Sequence, residues 1–573
     1  MKRKVILICS ITVYVAAVFS VCLFKYHNHL YNGLDLTIFF QAFQSLDAGN
    51  FLFVPLQGAQ YFADHFSFLF FIFYPLYHFL QSPILLLFLQ TLFIGLGAWP
   101  LYLICRKSLN FNKTILVLIA YLFNPFIIGM NLFEFHFLPF LFFFFFWLYY
   151  FYLENNQAGY YVFLFLTLLI REDMGILLLG FALFIFLEKR RIVGFQKALF
   201  FPKVLTTIFS SLLFLIIGWL TIKHFNGEAS KFLVYFDWHT VLGRVFSLGQ
   251  LELLVQIFLP LVFLPLLRPR YLVIGLFYYL QIALAFGAPV ANLHYGAPLF
   301  IPCYLALIEV LKNDRPGKIF IFNAYKKMAP FVLIAAIIYL NWFFGPWPPA
   351  FARAGRDAPR RVSTAAAAPP ATAIENSIVA APASLAVYLS EKNVVYSTTR
   401  IFWGHRQFSD QKYETPGLDY LIIDQDELLT FYLQKDNRPY YQKYYSSGGD
   451  ELLEKIKKNG LVLLENKDRY LIYGKSGQEV AFDEANFVKI NLENFEASED
   501  KKPMLIEYQI DGKTIKKRLF WPFTDELTVS REKDAEIFAY SVEVEGGLYL
   551  NNLYFVENNF SKIENLTEPL KIN

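Results

Sequence analysis

Side chains able to do chemistry interrupt the long apolar runs of this sequence at a few short places. "HLYNGLDLTIFFQAFQ" (29–44) carries Asp35, "YFADHFSF" carries Asp64 and His65, and "NLFEFHFLPF" carries Glu134 and His136. "LIREDMGI" carries Arg171, Glu172 and Asp173, "YFDWHT" carries Asp237, Trp238 and His239, and "ANLHYGAP" carries His294. A carboxylate can take a proton from a hydroxyl, and a guanidinium matches phosphate oxygens in a fork.

Each motif also has a purely structural reading. Asp35 opens a stretch in which Leu36, Phe39, Phe40, Phe43 and Leu46 share one helical face and Thr37, Gln41, Gln44 and Ser45 the other. That periodicity predicts a short amphipathic helix lying flat on the membrane surface. Asp35 is then either its N-cap or a working acid, and this stretch alone does not separate the two. Glu134 and His136, at i and i+2, diverge on a helix but share a side of an extended segment, which Pro139 favours. There, with Asp35 as a third ligand, they could hold a divalent cation, magnesium or manganese, and the imidazole leans towards manganese. Their structural alternative is a pair of polar groups at a wet helix end. The three charges of "RED" could compensate one another, or Arg171 could hold a phosphate with Glu172 and Asp173 in support. Asp64 reads as a helix cap, His65 and His294 as secondary phosphate contacts, and Trp238 as a sugar-stacking candidate or an ordinary interface aromatic.

The elements that must position these groups are membrane helices. The chain has 573 residues, 56% hydrophobic and 19% aromatic with 65 Phe, far more apolar than a soluble fold tolerates. The excess ends near residue 345. At about 20 residues per crossing, the candidate spans are 5–24, 83–104, 114–133, 137–153, 158–170, 174–187, 203–223, 251–267, 271–286, 296–312 and 329–345. The first, behind "MKRK", resembles an uncleaved signal anchor. The piece 65–80, interrupted by Pro75, decides the parity. If it is re-entrant or surface-lying, the basic loops "MKRK", "RKSLNFNK", "EKRR", "RPR" and "KNDRPGK" with "YKK" all fall on the cytoplasmic side. The polar motifs, which played no part in that choice, then all fall on the opposite, exoplasmic face. "RED" is placed between two short spans because a single long helix would bury three charges in lipid.

The net charge of +4 gives no reason to invoke nucleic acid, and the four cysteines, all in or beside apolar runs, lack metal-ligand spacing. After the membrane part (1–345) comes a Pro/Ala/Arg-rich linker (346–374). Next is a small α/β domain (375–476), in which "NVVYSTT", "DYLIID", "LVLLEN" and "RYLIYG" read as strands. A strand-rich region (477–573) closes the chain and suggests a β-sandwich. The fold expected is an α-helical polytopic membrane protein of about eleven spans with an exoplasmic C-terminal region.

"GLDLTIFFQAF", "DHFSFLFFIFYPLY", "NPFIIGMNLFEFHFLP", "IREDMGI", "LHYGAPLFIP" and "SIVAAPASLAVYLSEKNVVY" resemble the polytopic prokaryotic family called domain of unknown function 2079. That family is in turn similar to type-C glycosyltransferases, which use polyprenyl-phosphate sugars outside the cytoplasmic membrane. The resemblance implies a catalytic acid in the first exoplasmic loop, matching Asp35, and a second acidic motif in the next, matching Glu134 with His136. Type-C enzymes often pair acids there, whereas this chain has Glu-Phe-His. The expected function is a hexosyltransferase of the cytoplasmic membrane, N-terminus inside. Its expected donor is a polyprenyl-phosphate sugar, and its acceptor a cell-envelope glycan or protein. The alternatives are a transporter or flippase of lipid-linked glycans, marked by midplane charges and inverted repeats, and a membrane scaffold.

Overall fold

Asparagine, serine and proline set several of the helix starts. Asn110, Asn124 and Asn156 accept hydrogen bonds from the backbone N–H of Lys113, Phe126 and Gly159, and Ser82 accepts from that of Ile84. Pro83 and Pro125 follow their caps directly, at the position where a missing N–H costs nothing. The computed structural model describes residues 2–227, 247–285, 291, 293–312, 320–343, 345, 374–406, 409, 411–424, 450–467 and 470–475. It also describes the strands 487–491, 504–510, 513–519, 526–530, 540–545 and 559–565. Asp237, Trp238 and His239, the linker 346–373 and the segment 425–449 lie outside the described residues.

The chain divides into two compact units, Met1–Val54 with Ala59–Ala358, and Pro55–Gly58 with Pro359–Asn573. The helices of the first unit are α1 (Lys2–His27), α2 (Leu34–Asp47), α3 (Leu69–Leu80), α4 (Pro83–Leu96), α5 (Ala98–Arg106), α6 (Phe111–Leu122), α7 (Pro125–Phe133) and α8 (Leu141–Leu153). They continue with α9 (Gln157–Leu168), α10 (Met174–Val193), α11 (Phe195–Leu199), α12 (Pro202–Asn226), α13 (Leu248–Phe258), α14 (Pro269–Ala285), α15 (Ala297–Lys312) and α16 (Phe320–Phe343). Strands β1 (Phe53–Val54) and β2 (Ala59–Gln60) form a short antiparallel pair between α2 and α3. Among the described residues, five helical stretches have the length and apolar composition to cross a membrane: Arg3–His27, Pro83–Arg106, Phe111–Phe133, Pro202–Asn226 and His294–Lys312. The molecule is thus a helical membrane protein.

Four details differ from the sequence expectation or sharpen it. Helix α2 does not lie on the surface, because both its faces are enclosed, including Thr37, Gln41 and Ser45. The polar face can be buried because Thr37 Oγ1 donates to the Gly33 carbonyl and Ser45 Oγ to that of Ala42, so these hydroxyls are satisfied within the helix itself. Helix α3, with Pro75 inside it, has 12 residues and so rises about 18 Å, short of a hydrocarbon core. The expected span 251–267 is not one helix: α13 gives way to 3₁₀ turns at Leu259–Leu261 and Leu264–Leu267, where Pro260 and Pro265 withhold backbone donors. Helices α9 and α10 are separate, and residues 169–173 form a non-helical connection between them.

In the second unit a five-stranded sheet has the order β4-β3-β5-β7-β6, formed by β3 (Ile378–Ala381), β4 (Val394–Ser397), β5 (Tyr420–Asp424), β6 (Leu461–Lys467) and β7 (Tyr470–Lys475). Strands β3, β4 and β5 run parallel, with α17 (Ala383–Leu389) crossing between the first two, while β7 pairs antiparallel with β5 and β6. Ile401, Phe402, Trp403, Leu421, Ile423 and Leu471 belong to its core. The later strands, β8 (Phe487–Asn491), β9 (Met504–Ile510), β10 (Lys513–Leu519), β11 (Glu526–Ser530), β12 (Tyr540–Glu545) and β13 (Asn559–Asn565), form a four-stranded antiparallel sheet, β10-β9-β12-β13, and a β11-β8 pair.

Candidate functional site

Helix α2 begins at Gly33, whose left-handed backbone (φ 82°) suits glycine, so the cap position has no side chain of its own. The cap comes from far along the chain. Glu134, in the connection after α7, accepts from the backbone N–H of Gly33 at 2.9 Å through Oε1 and of Leu36 at 2.8 Å through Oε2. The capping role considered for Asp35 therefore belongs to Glu134. Asp35 sits in the first turn, where a negative charge is favoured by the helix dipole, and its side chain keeps 28% exposure.

His136, two residues beyond Glu134, reaches back to the same turn. Its Nε2 lies 3.0 Å from Asp35 Oδ2. Burial holds the imidazole below its ordinary range, although Asp35 pulls it up, so the ring is neutral at pH 7 and donates its Nε2–H to the carboxylate. The ring is packed edge-on against Phe39, 5.4 Å between centroids, and stacks on His294 at 3.4 Å and 25°. Sequence reasoning missed the residue that holds this connection in place. Gln90 of α4, fully buried, donates through Nε2 to the carbonyls of Asn131 (3.1 Å) and Glu134 (3.0 Å), and its Oε1 accepts from the His136 N–H (2.7 Å). Lys25 adds a bond from Nζ to the Leu132 carbonyl. A lone amide in "LLLFLQTLF" and a lysine closing the first apolar run were the available signals, since lipid penalises both unless partnered.

A second knot joins "YFADHFSF" to "RED". Glu172 accepts from the Phe66 N–H at 2.8 Å, and its Oε1 lies 2.9 Å from His65 Nδ1. Arg171 forks onto Asp173, with Nε 2.8 Å from Oδ1 and a second bond to Oδ2, and it reaches the Tyr278 hydroxyl at 3.3 Å. Its guanidinium stands 5.4 Å from the centre of the Tyr295 ring. Buried Tyr61 feels Asp64, Glu172, Arg171 and Asp35 together, and His136 feels Arg171 and His65, so the two knots form one electrostatic neighbourhood. The structure thus brings together Asp35, His65, Glu134, His136, Arg171, Glu172, Asp173 and His294, and adds Gln90, Tyr61, Tyr278 and Tyr295.

The expected metal ligands are not presented as a ligand set. Both Glu134 oxygens are occupied by backbone N–H groups, one Asp35 oxygen by His136, and among the described residues no group of three or more His, Cys, Asp or Glu could hold an ion. Burial first, then the Asp35 charge, push the Glu134 carboxyl up to about 8, while its backbone bonds and Lys25 pull the other way.

The buried polar cluster is built from the connections between apolar helices of a helical membrane protein. The chain belongs to the family described as Predicted membrane protein (DUF2079), whose model matches residues 26–463. No curated protein matches it.

Proposed function

We propose that this protein transfers a sugar from a polyprenyl-phosphate donor to an exoplasmic acceptor with inversion at the anomeric carbon. The observation that carries the proposal is the Asp35–His136 pair, a carboxylate that keeps access to solvent while a neutral imidazole fixes one of its oxygens. The other oxygen, Oδ1, takes the proton of the acceptor hydroxyl as that oxygen bonds to the anomeric carbon. The sugar–phosphate bond breaks, and its electron pair leaves on the polyprenyl phosphate. His136 acts through Asp35 and is a positioning residue. Arg171 supplies positive charge towards the leaving phosphate from beside Tyr295, with Asp173 setting its orientation. His65 and His294 flank the same space, and Glu172 orients His65. The membrane is the cytoplasmic one, with this site on its outer face and the C-terminal domain binding acceptor. The placement of the charged groups at helix connections, rather than midway along helices, favours an enzyme over a transporter.

The test is purified full-length protein incubated with radiolabelled polyprenyl-phosphate hexoses and envelope extract. The expected result is labelled product of inverted anomeric configuration. No transfer from any donor, together with scrambling of lipid-linked glycan in liposomes, would replace this reading with the transporter.

A further inference from the structure

Helix α10 leaves the polar site at Met174 and runs for 20 residues to Val193, a rise of about 30 Å, the thickness of a hydrocarbon core. At that far end is a cavity of about 380 Å³ lined by Phe184, Leu187, Glu188, Arg190 and Arg191 from α10 and by Arg270 from the start of α14. It unites two basic sequence motifs, "EKRR" and "RPR", that lie far apart in the chain. Three arginines and one glutamate line it, and even with Glu309, which pairs with Arg270, positive charge exceeds negative. That carboxylate, Glu188, is already engaged by the Tyr152 hydroxyl.

Arg270 is the member that points to a ligand. One terminal nitrogen reaches the Tyr271 hydroxyl at 3.3 Å and Glu309 Oε1 at 3.4 Å. Its Nε is buried and, among the described residues, has no hydrogen-bond acceptor. A buried donor left unpaired is costly, and a guanidinium edge of this kind suits a phosphate oxygen. Arg190 and Arg191 are exposed at the helix end, where headgroups lie, and Phe184 and Leu187 provide an apolar wall. Ordinary flanking arginines mark a cytoplasmic helix end without enclosing a cavity; here they enclose one between two helices.

We propose that this cavity is a phosphate-binding site for an anionic lipid headgroup, with Arg270 gripping the phosphate and Arg190 and Arg191 closing over it. It stands at the membrane face opposite the Asp35 site and is independent of the reaction assigned there.

Delipidated full-length protein in detergent, titrated with phosphatidylglycerol, phosphatidylcholine or inorganic phosphate and read by native mass spectrometry, tests this. Wild type is expected to retain phosphatidylglycerol in preference to phosphatidylcholine. R270Q is expected to bind it about tenfold more weakly, as loss of a charge-assisted bond implies. R191Q, at an exposed position that leaves the fold intact, is expected to bind it several-fold more weakly, and K197Q, outside the cavity, like wild type. Arginine-dependent binding of inorganic phosphate with indifference to the lipid would keep the anion site and assign it to free phosphate. Equal phosphatidylglycerol binding by wild type, R270Q and R191Q, or equal retention of the two lipids without arginine-dependent binding of inorganic phosphate, would overturn the proposal.

Discussion

Removing the Glu134 carboxylate should unseat the start of α2. Two buried backbone donors, Gly33 N–H and Leu36 N–H, end on its two oxygens at 2.9 and 2.8 Å. Glu134→Ala strands both, and a buried donor left without its partner costs about 1–3 kcal/mol, so the loss is about 2–6 kcal/mol. Glu134→Gln keeps one acceptor and sets an amide N–H₂ against the other donor, so about half that loss is expected. For comparison, Glu154→Gln breaks a largely exposed pair with Lys107 and should cost no more than about 1 kcal/mol. Thermal unfolding in detergent, followed by intrinsic fluorescence, should rank the variants wild type and E154Q first, then E134Q, then E134A, with E134A several degrees below wild type. An E134A protein that melts with wild type would refute the capping argument, because both donors would then have found water or another acceptor.

Gln90→Leu removes three hydrogen bonds from the 131–136 connection while keeping an apolar side chain of similar size. It should cost about 2–5 kcal/mol in the same assay and reduce sugar transfer as well, since His136 loses its backbone anchor. Arg171→Lys keeps the charge but not the fork onto Asp173, so transfer should fall by at least tenfold while Arg171→Ala falls further; equal rates for R171K and wild type would deny the guanidinium a role. The pH dependence of stability follows from Glu134. Its folded carboxyl sits at about 8 against an ordinary 4.5, so the folded chain holds the proton more tightly than the unfolded one. That contribution is complete below about 4.5 and is lost as pH rises through about 8. The melting temperature of wild type should therefore drop relative to E134Q between pH 5 and 9, and parallel curves would contradict it.

The parts of this site that could be read in the sequence are those where cost is local. Asp35, Glu134, His136 and "RED" stand out because charge beside apolar runs needs a partner. The break between α9 and α10 follows from the same cost. What periodicity could not reveal is a partner a hundred residues away. Asp35 looked like a cap because Asp is a good cap, yet the cap is Glu134, and only the folded chain brings it to Gly33. The polar stripe of α2 suggested a surface helix, since periodicity does not report that Thr37 and Ser45 satisfy themselves on their own backbone and can be buried. Gln90 was overlooked because one amide in an apolar run carries no pattern. Its importance lies in the irregular connection that it ties, and an irregular backbone has no periodic signature.

The central claim is that Asp35 is the base of a sugar transfer, and one comparison addresses it directly. Transfer from radiolabelled polyprenyl-phosphate hexoses should be measured for wild type and Asp35→Asn, with melting temperatures recorded alongside. Asparagine keeps the shape and the bond to His136 but cannot take a proton, so the rate should fall about 10²–10⁴-fold with little change in stability. Transfer by the asparagine variant at the wild-type rate would contradict the account.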